Sequence, residues 1–192
     1  IRPTKKGQAP VTLYNLIHAT SYFGKEKFTD AQKIINNYEY KGDEVEHAIR
    51  HDLGLTRKFS IISKRAEEAE NVFDFGCGYG FISYWFSIKN KKCKITGYET
   101  DPQKLALAEN CYLKNESITF SSDKVCMNGT YDVCIVNCTP NADELPLLRR
   151  CVEQSKLVIV RKLASVDEML VGSFVVADSD FEFVIYSKSE EK

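Results

Sequence analysis

The chain has 192 residues, 43% hydrophobic and 28% charged, which is enough to bury one substantial core and too mixed for disorder or a fibrous repeat. Its net charge of -1 provides no electrostatic drive for indiscriminate nucleic-acid binding. The longest apolar runs, such as Leu157-Val158-Ile159-Val160, are far too short to span a bilayer and no apolar signal core opens the chain, so a soluble, cytoplasmic protein without a membrane partner is expected.

Residues 1–10 are polar and basic and contain two prolines, the composition of a mobile arm. From Val11 to Glu70 the pattern is helical. Thr29-Asp30-Ala31-Gln32 has the form of a capping box ahead of Ile34 and Ile35, and Phe59, Ile62 and Ala66 recur at helical spacing. Three or four short helices are expected there. At Asn71 the pattern changes to alternating strands and helices, the mark of a parallel sheet covered on both faces.

The first strand is predicted at Asn71 to Phe75, followed by a helix whose Phe81, Tyr84, Trp85 and Ile88 form one apolar stripe. A second strand, Cys93 to Glu99, leads to a helix that opens at Asp101-Pro102, where aspartate caps and proline suits the first turn. Leu105, Ala106 and Ala108 are its expected packing face. Strands at Ser117 to Phe120, Tyr131 to Asn137 and Lys156 to Leu163 continue the series, with Leu145, Leu148 and Val152 marking the helix between the last two. Gly172 to Ala177 and Phe181 to Tyr186 are joined only by Asp178-Ser179-Asp180, and so short a link requires an antiparallel hairpin. The chain therefore divides into an N-terminal arm and helical segment, residues 1–70, on the substrate side, and a core, residues 71–192.

Seven cysteines, an odd number spread through these elements, fit free thiols in a reducing compartment. A zinc site wants closely spaced Cys or His pairs. Cys134 and Cys138 come nearest but fall within and just after an apolar strand, so no metal is expected. His18, His47 and His51 have no catalytic pattern around them and read as structural or surface groups.

Chemistry concentrates at the strand ends. Val72-Phe73-Asp74-Phe75 runs into Gly76-Cys77-Gly78-Tyr79-Gly80. Glycines at 76 and 78 let the backbone turn sharply and approach a ligand closely, while Gly80 lets the next helix pack tightly on the strand. The segment resembles motif I of class I S-adenosylmethionine-dependent methyltransferases, an apolar strand followed by D/E-x-G-x-G-x-G. The resemblance implies that Asp74, Phe75, Gly76, Cys77, Gly78 and Gly80 bind S-adenosylmethionine, with Asp74 meeting the cationic amine of its methionine part directly or through water. Glu99, nineteen residues beyond Gly80, closes the second strand and is suited to accept hydrogen bonds from both ribose hydroxyls, the place of motif II. Thr100 and Asp101 then flank the adenosine, and Ser122 and Asp123, after the third strand, stand where the family often binds the adenine amine. The family's fold is a Rossmann-like three-layer α/β sandwich, a mostly parallel seven-stranded sheet closed by a C-terminal antiparallel hairpin. A dinucleotide-binding Rossmann domain would instead end on a parallel strand, with its glycines spaced G-x-G-x-x-G.

Asn137, in Asn137-Cys138-Thr139-Pro140, stands at motif IV beside the departing methyl group and is the candidate catalytic residue as well as a cofactor contact. Amino-group methyltransferases carry D/N-P-P-Y/F here, and this segment departs from it at the second and fourth places. Ribose 2'-O methyltransferases carry a Lys-Asp-Lys-Glu tetrad; Lys162 suits one lysine, yet Asn137 holds the aspartate place. Both departures point to an acceptor that needs no general base. The chain resembles cap guanine-N7 methyltransferases in this respect, since N7 carries a free lone pair and its methylation needs only in-line positioning. It begins with Ile1 rather than methionine, which fits an edited chain or a segment cut from a longer, viral polyprotein. Capped RNA is then the expected substrate and viral replication proteins the expected partners. Tyr14, Tyr22, Phe23, Tyr38 and Tyr40 supply rings for a guanine, worth about 1–3 kcal/mol per stacked base. Arg57, Lys58, Lys64 and Arg65 supply charge for the cap phosphates. A protein or small-molecule methyltransferase and a non-catalytic partner subunit with the same fold remain open.

Overall fold

Short apolar runs alternating with amphipathic segments build, in a computed structural model of the chain, one sheet of seven strands. The structure describes residues 33, 34, 37, 38, 68–161, 174–179 and 183–188. The strands are β1 (Asn71–Phe75), β2 (Lys94–Tyr98), β3 (Ile118–Ser121), β4 (Val133–Val136), β5 (Leu157–Arg161), β6 (Phe174–Ser179) and β7 (Phe183–Lys188). Between them lie α1 (Phe81–Lys89), α2 (Pro102–Glu109), a 3-10 helix at Lys124–Asn128, and α3 (Leu145–Gln154). The order is β3-β2-β1-β4-β5-β7-β6. Neighbours among the first five strands run parallel, and β7 lies antiparallel between β5 and β6. This is the Rossmann-like mixed sheet expected from the sequence.

The central strands are apolar on both sides because both faces of the sheet are covered. All four residues of β4 are buried, as are four of the five in β1. One face sets Val72, Ile95, Ile118 and Ile135 against Phe81, Tyr84 and Trp85 of α1 and Ala108 of α2. The other sets Phe73, Phe75, Cys134 and Val158 against Met127 of the 3-10 helix and Leu148, Cys151 and Val152 of α3. Three layers result, and the loops at the carboxyl ends of β1, β2 and β4 meet above the middle of the sheet.

Several local expectations need correction. Helix α1 is not a single stripe: Ile82, Ser83 and Phe86 are buried along with Phe81, Tyr84 and Trp85. Ile34 and Tyr38 belong to the same core, with the Tyr38 ring edge-on to Tyr84 at 5.9 Å, so α1 is covered from a second side. In α2, Ala106 is exposed; Ala108 and half-buried Leu105 pack, because this surface helix touches the sheet along a narrow line. In α3, Leu145 at the first turn is exposed, and the packing stripe is Leu148, Cys151 and Val152. The hairpin strands lie about two residues later than expected, so Asp178 and Ser179 belong to β6 and residues 180–182 connect it to β7. Asp101 does cap α2, accepting from the Gln103 and Lys104 N–H groups at 2.9 and 3.3 Å. Of the helical segment expected over 11–70, most lies outside the described residues; Lys33 and Ile34 are helical. All seven cysteines are unpaired. Among the described residues, no helix is long and apolar enough to cross a membrane, and no group of three or more His, Cys, Asp or Glu is placed to hold a metal.

Asp132 pins the other end of the sheet. One carboxylate oxygen accepts from the Glu70 and Asn71 N–H groups at 2.9 and 3.1 Å, and the other pairs with Lys156 at 2.8 Å. The Lys156 ammonium, then burial countered by those two amides, leaves its carboxyl below the usual aspartate range. Asp132→Ala is expected to cost about 2 kcal/mol at neutral pH, the scale of hydrogen bonds to a charged group. A depressed folded pKa stabilises above the unfolded value and is lost as pH falls through the folded one. The gap between variant and wild type in urea melts therefore shrinks below about pH 4.

Candidate active site

The chain leaves β1 toward β2 on one side and joins β4 on the other, and such a reversal opens a crevice at the carboxyl ends of the strands. The loop that fills it is held by its own backbone. Gly76 and Cys77 N–H both donate to the Tyr98 carbonyl, at 2.9 and 3.0 Å, and Gly80 N–H donates to the Cys77 carbonyl at 2.9 Å. Helix α1 starts as Tyr84 N–H donates to the Gly80 carbonyl.

Gly76 and Gly80 have φ of 70° and 74°, a region that disfavours any side chain. Space forbids one as well. A Cβ at Gly76 would lie 2.5 Å from Cys138 Sγ, and one at Gly80 2.5 Å from the Phe120 ring. Gly78 differs, because among the described residues, its chain neighbours apart, nothing lies within 4 Å of the place its Cβ would occupy. Two of the glycines make room for protein, and the one between them faces open space.

Beside the loop lies a cavity of about 220 Å³ lined by Phe75, Gly76, Tyr98, Glu99, Thr100, Cys138, Thr139, Asn141 and Glu144. The Glu99 carboxylate stands at its edge and is half-buried, with Oε2 accepting from Gly78 N–H at 3.0 Å and Oε1 from Asp101 N–H at 2.9 Å. It ties the glycine loop to the start of α2. Thr100 is exposed beside it.

Asp74 is fully buried beneath the loop. Its Oδ2 accepts from the Ser83 hydroxyl and its Oδ1 from the Asn137 amide nitrogen, both at 2.6 Å. Asn137 Nδ2 also donates to the Phe75 carbonyl at 3.3 Å. Both partners are acceptors, so the amide orientation is fixed by chemistry. Here Asp74 orients Asn137 and α1 from below, and solvent does not reach it.

The thiols of the site are held neutral. Cys138 is exposed, yet partial desolvation of its thiol, then the charges of Glu99, Glu144 and Asp74, pushes it up to about 11. Burial and the same Asp74 and Glu99 carboxylates raise Cys77 well above the ordinary thiol value. Neither is a thiolate at neutral pH.

The expected residues gather unevenly. Phe75, Gly76, Glu99 and Thr100 line the cavity, while Cys77, Gly78, Gly80, Asp74 and Asn137 form the loop and its support. Ser122 and Asp123 are exposed after β3 and do not line it; Asp123 caps the 3-10 helix, accepting from Val125 N–H at 2.9 Å. Tyr38 is buried, with its hydroxyl donating to the Tyr79 carbonyl at 2.6 Å, a core residue rather than a free stacking ring. Tyr14, Tyr22, Phe23, Tyr40, Arg57, Lys58, Lys64, Arg65 and Lys162 lie outside the described residues. Sequence reasoning missed Ser83, Tyr98, Asn141 and Glu144. Only the last two carried a signal, since Asn141-Ala142-Asp143-Glu144 has capping-box spacing ahead of an apolar helix.

Residues 55–159 match the family model for the methyltransferase small domain. No curated protein sequence matches the chain. Among solved structures, a proposed RNA methyltransferase from Pyrococcus horikoshii is 17% identical with a TM-score of 0.59, over 86% of this chain and 98% of that one. The magnesium protoporphyrin IX methyltransferase of Synechocystis, solved with S-adenosylmethionine bound, is 15% identical with a TM-score of 0.56, over 97% and 100%. The ribosomal protein L11 methylase of Lactobacillus delbrueckii subsp. bulgaricus is 16% identical with a TM-score of 0.56, over 72% and 80%. At such identities the likeness is one of fold.

Proposed function

The chain belongs to the methyltransferase small domain family, and we propose that it methylates an acceptor atom that already carries a free lone pair, the N7 of an RNA cap guanine. S-adenosylmethionine is the cofactor of this fold and supplies, when bound, an electrophilic methyl on a cationic sulfur. The site suits it: the space beside Gly78 is open, and a carboxylate and a small cavity adjoin it. Glu99 would hold the ribose, Gly76 and Gly78 would lie along the ligand, and Asp74 would set Asn137 in place without touching it.

One observation carries the choice of acceptor. Among the described residues, each carboxylate lining the cavity already serves the fold, Glu99 accepting from two amides and Glu144 from Tyr98 and Asn141, and the remaining lone pairs of Glu99 are those that would take the ribose hydroxyls. The one thiol there is protonated. Among the described residues, no histidine or lysine lines the cavity. An acceptor that must lose a proton before attack finds no base in this set, whereas a free lone pair needs only to be aimed. Aiming alone lowers barriers by about 7–11 kcal/mol. The ribose 2'-O reading is weaker, because Asn137 stands at the aspartate place with its amide nitrogen held by Asp74. In the proposed reading Tyr14 and Tyr40 stack the guanine, Arg57, Lys58 and Lys162 hold the phosphates, and viral replication proteins are the partners.

The test is transfer of labelled methyl to capped RNA, uncapped RNA, protein extract and small amines in parallel. Label in capped RNA alone is expected, with kcat flat from about pH 6 to pH 9 because no side chain must change protonation. Label in protein or amines, or a rate rising tenfold per pH unit, would overturn the guanine reading.

A further inference from the structure

Tyr98 sits where the walls of the cavity meet. Its carbonyl holds the Gly76 and Cys77 amides, and its ring stacks on Phe75 with centroids 5.4 Å apart and planes at 15°. Its hydroxyl donates to Glu144 Oε1 at 2.8 Å. The other oxygen of Glu144 accepts from Asn141 N–H at 2.9 Å, and Asn141 Oδ1 accepts from Glu144 N–H at 2.9 Å. The last two bonds close a capping box at the start of α3. A capping glutamate needs only one of its oxygens for that purpose and ordinarily stands in water. Glu144 is only 5% exposed, and its second oxygen crosses to a different strand. Burying a carboxylate is costly unless both oxygens are satisfied, and capping alone does not require that burial. Residues 137–141, which carry Asn137, Cys138 and Thr139, run between β4 and this box.

We propose that Tyr98 and Glu144 are positioning residues, a latch that fixes the loop from Asn137 to Asn141 against the glycine loop and so sets the cavity wall facing the reacting groups. The latch joins three chain segments through one phenol: its backbone anchors the cofactor loop, its ring the end of β1, and its hydroxyl the capped start of α3. Neither side chain needs to touch the acceptor. Its effect on transfer rests on the methyl-transfer reading; the mechanical coupling does not.

Tyr98→Phe removes only the hydroxyl. Glu144→Gln keeps an oxygen for Asn141 N–H and offers an amide N–H to the Tyr98 oxygen. Two readouts follow the loop: the Kd for S-adenosylhomocysteine by calorimetry, and the rate at which iodoacetamide alkylates Cys138, resolved by mass spectrometry. Buried Cys134 and Cys151 serve as internal controls for the fold. Tyr98→Phe is expected to raise Kd about tenfold and to speed Cys138 alkylation several-fold, with Cys134 and Cys151 still protected. Glu144→Gln is expected to shift both less, and the double variant to match Tyr98→Phe rather than the sum. Unchanged Kd and unchanged Cys138 alkylation in Tyr98→Phe would overturn the latch, as would loss of protection at Cys134 and Cys151. If the wild type fails to bind S-adenosylhomocysteine, the methyl-transfer reading falls, and the Cys138 rates still decide the latch.

Discussion

Replacing Asn137 by aspartate is expected to destabilise the protein by about 3–5 kcal/mol at neutral pH, the scale of a broken buried charge arrangement. The amide nitrogen of Asn137 lies 2.6 Å from Asp74 Oδ1, and Asp74 is fully buried. Aspartate at 137 replaces that donor with a second carboxylate, and two carboxylates at such a distance cannot both ionise. The pair must retain a proton, so one folded-state pKa rises above its unfolded value. A raised folded pKa gives stability that is present at low pH and lost as pH rises through it. The deficit of Asn137→Asp in urea melts should therefore be smallest near about pH 4 and grow toward pH 8; it runs in the same direction as that of Asp132→Ala but over a higher pH window, because a raised rather than a depressed carboxyl causes it. Asn137→Ser, which keeps a donor, should recover part of the loss. A pH-independent deficit would mean that Asp74 and residue 137 do not share the field the structure places them in.

The second large effect concerns Glu99. Removing its carboxylate by Glu99→Ala is expected to weaken S-adenosylhomocysteine binding by roughly 100-fold or more, since two hydrogen bonds to a charged acceptor are worth about 1.5–3 kcal/mol each. Stability should fall much less. The Gly78 and Asp101 amides that lose their acceptor are both half-buried and can turn to water. Glu99→Gln should lie between, because it keeps the shape and loses the charge. Calorimetric titration paired with thermal melts separates the two contributions; equal binding by Glu99→Ala and wild type would remove Glu99 from the cofactor site.

Much of this was legible in the sequence because it is local. The three glycines announce a strand-to-helix turn, Asp101-Pro102 announces a helix start, and the close spacing of the last two strands forces a hairpin. Each depends on a few neighbouring residues and on backbone sterics. Other features depend on register. Phe75 pairs with Val136, which brings Asn137 beside the glycine loop, and the bond from Asn137 to Asp74 spans 63 positions. The bond from Tyr98 to Glu144 spans 46. The sequence places Asp74 and Tyr98 near strand ends, but it does not say which distant polar group each of them meets. Ser83 was hidden for the same reason, as a small polar residue inside an apolar helix whose partner lies on β1. The misplaced packing residues, Ala106 and Leu145, share another cause: helical periodicity gives a face, while the angle and length of contact with the sheet decide which part of that face is covered.

The claim on which the rest depends is that the open side of Gly78 is where the adenosyl cofactor lies. Gly78→Ala tests it, because φ of 57° admits alanine at a cost of about 1–2 kcal/mol and, among the described residues beyond its chain neighbours, no atom lies within 4 Å of the new methyl. The decisive measurement is calorimetric titration of S-adenosylhomocysteine into wild type and Gly78→Ala at a temperature where both are folded. The account predicts saturable one-to-one binding by the wild type and at least about tenfold weaker binding by the variant. Equal affinity in the two proteins, or no binding by the wild type, would contradict it.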